Sequence, residues 1–260
     1  MNIFSWIFQE LLFRPLFNLL VIFYQLPLID FGGAILLLTI LIRAALFPLT
    51  SKATKRQIEM QVKTQEFQEK LKQIQKEFAN DPLRQKEEIM KLWREKKINP
   101  FSNFVPFIIQ IIILIALYQV FRFGLQAENL SLLYSFVPNP GKISPTFLKI
   151  IDLSKPLPIL AGLTAIFQFL YSRKIAKVSE KLAKKFNKKR KKDKKTQKME
   201  KMQKTIQNQM SYFMSIFIFL IGLKIQSALV LYWLFATLIG ILEQKLIERK
   251  LLQEKKSSSV

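Results

Sequence analysis

Neither cysteine nor histidine occurs anywhere in the 260 residues. Without cysteine there is no disulfide framework, no lipid-modified cysteine and no thiol chemistry. Without histidine the commonest metal ligand and general base is gone. Acidic side chains are scarce, 18 Asp and Glu against 41 Lys and Arg, which leaves a formal net charge of +23. No internal repeat and no Gly-rich phosphate loop is evident. What the chain does have is apolar residues, half of the total, gathered into near-continuous runs at 31–51, 101–123, 157–172, 211–223 and 226–242. A soluble domain of this length could bury a good core, but it would not cluster its apolar residues so. Runs of membrane-spanning length read as transmembrane helices.

Charge supplies the orientation. Lys and Arg outnumber Asp and Glu by 13 to 8 over residues 51–99, by 16 to 3 over 173–210 and by 5 to 3 over 243–260. Residues 124–156 carry only Lys142, Lys149 and Lys155 against Glu128 and Asp152. Basic connections stay in the cytoplasm. The expectation is an all-α integral membrane protein, a five-transmembrane-helix bundle with spans at 31–51, 101–123, 157–173, 210–223 and 226–243. The N-terminus lies outside, the C-terminus inside. The connections are a cytoplasmic helical hairpin (52–99), an extracytoplasmic loop (124–156), a basic cytoplasmic loop (174–209), a short outer turn at Lys224-Ile225-Gln226 and a basic cytoplasmic tail (244–260).

In residues 1–30 the polar side chains Asn2, Ser5, Gln9, Glu10, Arg14 and Asn18 recur at intervals of three and four and draw one stripe along a helix. Trp6, Phe8, Phe13 and Phe17 lie off it, and Pro15 is expected to bend or interrupt it. This predicts an interfacial amphipathic helix on the outer leaflet. The rival, an uncleaved signal anchor, lacks a charged leading region and a small-residue cleavage site. In the expected hairpin, Phe67, Leu71, Ile74 and Phe78 form a narrow apolar seam. Asn80-Asp81-Pro82 stops the first helix, with Asp81 as N-cap and Pro82 opening the second, which continues the seam with Ile89, Met90 and Trp93. The stretch KKFNKKRKKDKK sets Lys184, Lys185, Lys188, Lys189, Arg190, Lys191, Lys192, Lys194 and Lys195 against the single acid Asp193. It reads as a positive-inside marker, as a contact for anionic lipid headgroups, or as a contact for the phosphates of ribosomal RNA. With Phe186 its lone aromatic it is no stacking platform for single strands.

Arg43 stands inside the first run, in TILIRAALFP. Nine residues separate it from Lys52, which at 1.5 Å per residue places it about 13–14 Å deep, near the middle of a hydrocarbon core of about 30 Å. Facing lipid there costs an arginine at least about 2.5–3.5 kcal/mol. The other apolar runs, 101–123, 157–172, 211–223 and 226–242, offer no acidic partner, so the expectation is a water-filled recess. Thr39, one turn earlier, Gln110 and Gln168 are candidates for its wall. The alternative is a buried arginine satisfied by backbone carbonyls or a partner subunit.

FRPLFNLL, ILLLTILIRAALFPLTSKA, INPFSNFVPFIIQIIILIALYQV, LPILAGLTAIFQFL and SALVLYWLFATLIGILEQKLI together resemble the YidC/Oxa/Alb membrane protein insertases over roughly residues 13–250. The resemblance implies five helices around a hydrophilic groove open to cytoplasm and lipid and closed to the outside. It implies that Arg43 is the groove arginine, that Thr39, Gln110 and Gln168 line the groove, and that Tyr232 or Trp233 faces the client. The large extracytoplasmic domain of Gram-negative members and the lipoprotein cysteine of many Gram-positive ones are missing, which suggests a compact bacterial member in the cell membrane. The turn near Lys224 also lacks the Pro-Ser-Gly-like residues common there. The implied partners are nascent membrane proteins, the bilayer, the ribosome and a Sec-type translocon. No cofactor, metal, nucleotide, small-molecule substrate or covalent catalysis is implied. Two rivals of other classes remain at this stage. A transporter or channel subunit should show inverted repeats and broken paired helices. An intramembrane enzyme would need an activating base beside Ser211, Ser215 or Ser227, and the chain has no histidine.

Overall fold

The computed structural model describes residues 3–95, 105–123, 132–186, 209 and 211–257. Two compact units share the chain: Met1–Phe47, Ile108–Lys174 and Asn208–Gln244 form one, and Pro48–Phe107, Ile175–Gln207 and Lys245–Val260 the other.

The first unit begins with a helix that runs through Pro15 unbroken. α1 (Ile3–Phe8) passes by a π-helical turn (Gln9–Phe13) into α2 (Arg14–Tyr24). The Arg14 N–H donates five residues back, to the Gln9 carbonyl. Widening the backbone just ahead of Pro15 makes room for a ring that has no N–H to give, so the expected interruption is absorbed. The later part of the polar stripe, from Glu10 to Asn18, is seated on the chain, and Asn2 and the side chain of Ser5 lie outside the described residues. Arg14 pairs with Glu10 at 3.2 Å, its Nε donates to the Leu132 carbonyl at 3.2 Å, and its guanidinium lies 4.8 Å over the Tyr134 ring. Asn18, fully buried, donates to the carbonyls of Arg14 and Leu132 and accepts the Tyr134 N–H at 2.7 Å.

α3 (Phe31–Glu77) starts where Asp30 accepts the Gly33 N–H at 2.8 Å, an N-cap. α5 (Val105–Phe123), α6 (Pro158–Phe186), α7 (Ser211–Gly222) and α8 (Ser227–Ser257) follow, with α4 (Pro82–Glu95) belonging to the second unit. Phe17 and Val21 of α2, Ile35 and Leu38 of α3, Leu117 and Phe121 of α5, Ala161 of α6 and Val230 and Leu231 of α8 meet in one apolar cluster. Among the described residues three helical stretches are long and apolar enough to cross a membrane: Trp6–Tyr24, Phe31–Ala53 and Ser227–Lys250. Ile109–Arg122 and Ser211–Gly222 are shorter apolar stretches. The chain is thus a mostly helical membrane protein.

Between α5 and α6 lies a small antiparallel ribbon, β1 (Thr146–Phe147) with β2 (Ile151–Asp152). Leu148 and Lys149 turn it with left-handed φ values of 54° and 59°, the sense that suits the twist of a hairpin. Phe147 thereby reaches the bundle and packs edge-on to Phe235 of α8, with ring centroids 6.1 Å apart. The same segment caps α8: the Ala228 N–H donates to the Leu153 carbonyl at 3.0 Å and the Ser227 N–H to the Lys155 carbonyl at 3.1 Å. These are two of the four amides a helix start leaves without partners.

In the second unit the helices carry on past the expected ends of the spans. α3 runs on to Glu77, α6 to Phe186 and α8 to Ser257. The boundaries expected at 51, 173 and 243 are changes of side-chain chemistry and not ends of structure. A helix satisfies its own backbone, so it need not stop where its surroundings change. After a turn at 78–81, α4 (Pro82–Glu95) opens with the Arg84 N–H donating to Asp81 Oδ1 at 3.0 Å, the expected cap. Gln85 clasps the turn by donating to the Gln75 carbonyl at 3.2 Å. Of the expected seam, Leu71, Ile74, Phe78 and Ile89 are part-buried, and the side chains of Phe67 and Trp93 lie outside the described residues. Met90 is exposed and Leu92 is buried in its place. Leu92 lies three residues from Ile89 and so on its face, whereas Met90 falls about 100° away. Val178 and Ile247 are buried too, and Lys181 of α6 pairs with Glu248 of α8 at 2.7 Å.

Candidate functional site

Arg43 does have an acidic partner. Its Nη2 lies 2.6 Å from Glu243 Oε2, and the two side chains are 13% and 12% exposed. The expectation of a lone intramembrane charge is corrected here. Charge counting had assigned Glu243 to the cytoplasmic tail, but helix phase brings it back. Eleven residues at 100° each set Glu243 within about 20° of Tyr232, on the same face of α8. The ion pair ties Arg43 to the turn of α8 that follows its apolar stretch, and Lys174 of α6 donates to the Ile241 carbonyl at 3.2 Å.

Room for the guanidinium is made by Gly240, three residues before Glu243. A Cβ on Gly240 would lie 2.5 Å from Arg43 Nη2 and 3.1 Å from the Tyr171 ring. Arg43 Nε and Gln244 Oε1 are both buried without a hydrogen-bond partner among the described residues. The pair is therefore not a closed network: the arginine keeps donor capacity beyond the one carboxylate it holds.

Two further polar contacts tie α8 to its neighbours in the first unit. Gln110 of α5 donates to the Tyr232 hydroxyl at 3.3 Å. The Thr237 hydroxyl lies within reach of both Gln168 Oε1 of α6, at 3.1 Å, and the Trp233 carbonyl, at 2.8 Å, and shares one proton between them. Thr39 is fully buried and spends its hydroxyl on the Ile35 carbonyl at 2.6 Å. Tyr232 is also fully buried, and Trp233 is part-buried. Arg43, Gln110 and Gln168 thus reach α8 in interhelical pairs with Glu243, Tyr232 and Thr237, whereas Thr39 bonds within its own helix, and Thr39 and Tyr232 present no open surface. Sequence reading passed over Glu243, Gly240, Tyr171 and Thr237. For Glu243 the signal was there, in the phase of the LVLYW helix. For Gly240 and Tyr171 nothing short of the packed helices could show it.

Lys184 and Lys185 fall on the last turn of α6, and Lys188, Lys189, Arg190, Lys191, Lys192, Lys194 and Lys195 lie outside the described residues. Among the described residues no three His, Cys, Asp or Glu side chains come together as metal ligands would.

Residues 21–255, which hold the Arg43–Glu243 pair and the helices that make it, match the model of a known family, the 60Kd inner membrane protein. The chain belongs to this family. A membrane protein insertase YidC of Clostridium tetani is 32% identical over 232 residues, covering 88% of this chain and 86% of the relative. One from Fusobacterium nucleatum is 29% identical over 221 residues, covering 85% and 87%. One from Haemophilus influenzae is 32% identical over 240 residues, which is 92% of this chain but 37% of that longer relative.

Proposed function

We propose that this chain is a membrane protein insertase and chaperone of the bacterial cell membrane, receiving nascent membrane proteins and releasing them into lipid. Family membership with insertase relatives over nearly the whole chain carries the reading. It also sets aside the transporter alternative. The fold is read as five spans with the N-terminus outside, formed by the first part of α3, α5, the first part of α6, α7 and the first part of α8. Residues 52–99 are then a cytoplasmic hairpin.

A client must move a polar, often acidic, terminus or loop outward. A hydrated groove reaching from the cytoplasm shortens the apolar barrier. Arg43 serves as a transient electrostatic partner for the acid, while apolar parts of the client slide between helices. Gln110, Gln168 and Trp233 form the polar and aromatic wall, with the buried Thr39 and Tyr232 packed behind it. The basic residues from Lys184 to Lys195 draw in the ribosome or anionic lipid, and a Sec-type translocon can share clients. No covalent step is needed. Free energy comes from client hydrophobicity and, for acidic segments, from the membrane potential, about 2.3 kcal/mol per charge per 100 mV.

The test is complementation of an insertase-depleted bacterium, with insertion yields of paired clients in reconstituted vesicles. Wild type should restore growth and insert both clients. Arg43→Lys should retain much of the activity, since a point charge still attracts a carboxylate. Arg43→Ala should impair the client with an acidic translocated segment and spare the neutral one. Failure of wild type to insert either client sinks the reading.

A further inference from the structure

We propose that Glu243 is a resident competitor for Arg43, a carboxylate of this chain that holds the arginine until an acidic residue of a client displaces it, and that it thereby sets which clients the site accepts. The inference rests on the insertase reading and adds a specificity-determining residue to it.

Four observations converge. The contact is short, 2.6 Å, and joins residues 200 positions apart, so the fold and not local sequence creates it. Both side chains keep about one-eighth of their surface open, so an incoming carboxylate has an approach. Gly240 leaves the guanidinium space against α8 that any other residue would fill. Arg43 Nε is buried yet unpartnered among the described residues, so the resident pair leaves the guanidinium incompletely satisfied.

The physical chemistry follows from exchange. An arginine with no counter-charge at this site is costly, and a pair broken by deleting one partner leaves the other charge uncompensated. Swapping Glu243 for a client Asp or Glu replaces one carboxylate by another, so Arg43 is never bare, and the released Glu243 carboxylate is rehydrated through its open edge. A neutral client segment offers no such exchange and leaves the resident pair in place. Affinity for an acidic segment is therefore a difference between two similar pairs, weak and reversible, as a site that must release its client requires. The ligand class is the carboxylate of an apolar polypeptide segment. An anionic lipid headgroup offers related chemistry, and the choice of vesicle separates the two.

The full chain in phosphatidylcholine vesicles is titrated with two fluorescent peptides sharing one apolar helix, one led by an Asp-rich segment and one by a Ser/Asn segment. Glu243→Gln should tighten the acidic peptide by about threefold to tenfold, the span of a partly exposed ion-pair coupling, and leave the neutral peptide unchanged. Glu243→Asp, whose carboxylate is withdrawn by one methylene, should fall between, and it decides the matter if Glu243→Gln does not fold. On an Arg43→Ala background the effect of Glu243→Gln should vanish. Unchanged acidic affinity in Glu243→Gln, or an equal shift for both peptides, overturns the proposal. So does a gain that appears only when anionic lipid is added. If wild type binds neither peptide, the insertase reading fails and the inference with it. If Arg43→Ala weakens the acidic peptide while Glu243→Gln changes nothing, only the competitor role fails.

Discussion

Gly32, in the first turn of α3, lies against Phe147 of the ribbon. A Cβ built there would sit 2.1 Å from Phe147 Cδ2, 2.5 Å from Cγ and 2.6 Å from Cβ. A change of rotamer can carry the ring away but not the Phe147 Cβ, which is fixed to its backbone. Gly32→Ala must therefore displace the ribbon as well as the ring. Overpacking of this kind costs typically about 1–3 kcal/mol. Loss of the ring's contacts with Phe235 belongs to the same displacement and is not a separate addition. The assay is thermal or denaturant unfolding of the purified chain in detergent, with protease sensitivity of residues 132–156 as a local readout. Gly32→Ala should lower stability and expose that segment. Rescue should be graded. Phe147→Ala removes two of the three nearest atoms and Phe147→Gly all three, so the penalty of Gly32→Ala should shrink on the first background and nearly disappear on the second. Non-additivity of that size is expected only of residues in contact. An equal penalty on all three backgrounds would refute the reasoning, because the cost would then lie in α3 itself.

The resident ion pair changes what an arginine deletion should do to stability. Arg43→Ala leaves Glu243 uncompensated and should lower the melting temperature, while the double variant Arg43→Ala/Glu243→Gln should recover most of the loss; a single variant as stable as wild type contradicts the pairing. In the ribbon, the Ser154 hydroxyl and then the Ser154 N–H donate to Asp152 at 2.5 Å and 2.9 Å and hold its carboxyl below the ordinary carboxylate range. A depressed carboxylate lends stability above its unfolded-state value and loses it as pH falls through the folded one. Ser154→Ala should thus raise the Asp152 midpoint in a carboxyl NMR titration and move the acid loosening of the ribbon to higher pH, whereas an unmoved midpoint assigns the shift elsewhere. Orientation is tested by single cysteines in this cysteine-free chain: those at Gln75 and Asn187 should resist an impermeant thiol reagent in intact cells and one at Asn139 should react, and labelling at Gln75 overturns the topology. Replacing Lys188 to Lys192 by Ser and Gly should weaken binding to ribosomes or anionic vesicles, most at low salt where screening is least; binding unchanged at every ionic strength would leave the block a topology marker alone.

What the sequence made legible were features written locally. Periodic apolar runs gave the helices, Asp81-Pro82 gave the start of α4, and the context of Arg43 together with LVLYW gave the family. What it hid depends on the meeting of distant segments. Span limits were set where charges begin, yet α3, α6 and α8 continue past them, because the water boundary selects side chains and leaves the helical backbone indifferent. Glu243 was counted with the charges of 243–260, although the fold sorts it by its angle on α8. Residues 132–155 carry no periodicity and were read only as a loop. They organise one end of the first unit nonetheless: the Leu132 carbonyl and Tyr134 hold Arg14 and Asn18, Phe147 seats on Gly32, and the carbonyls of Leu153 and Lys155 cap α8. Each of these contacts uses a backbone atom or a glycine, groups whose partners no residue pattern announces. α8 in turn carries Tyr232, Thr237, Gly240 and Glu243 to α5, α6 and α3. The segment that fixes its first turn therefore bears on where Glu243 meets Arg43, so a loop with no chemistry of its own takes part in setting the register of the charged site.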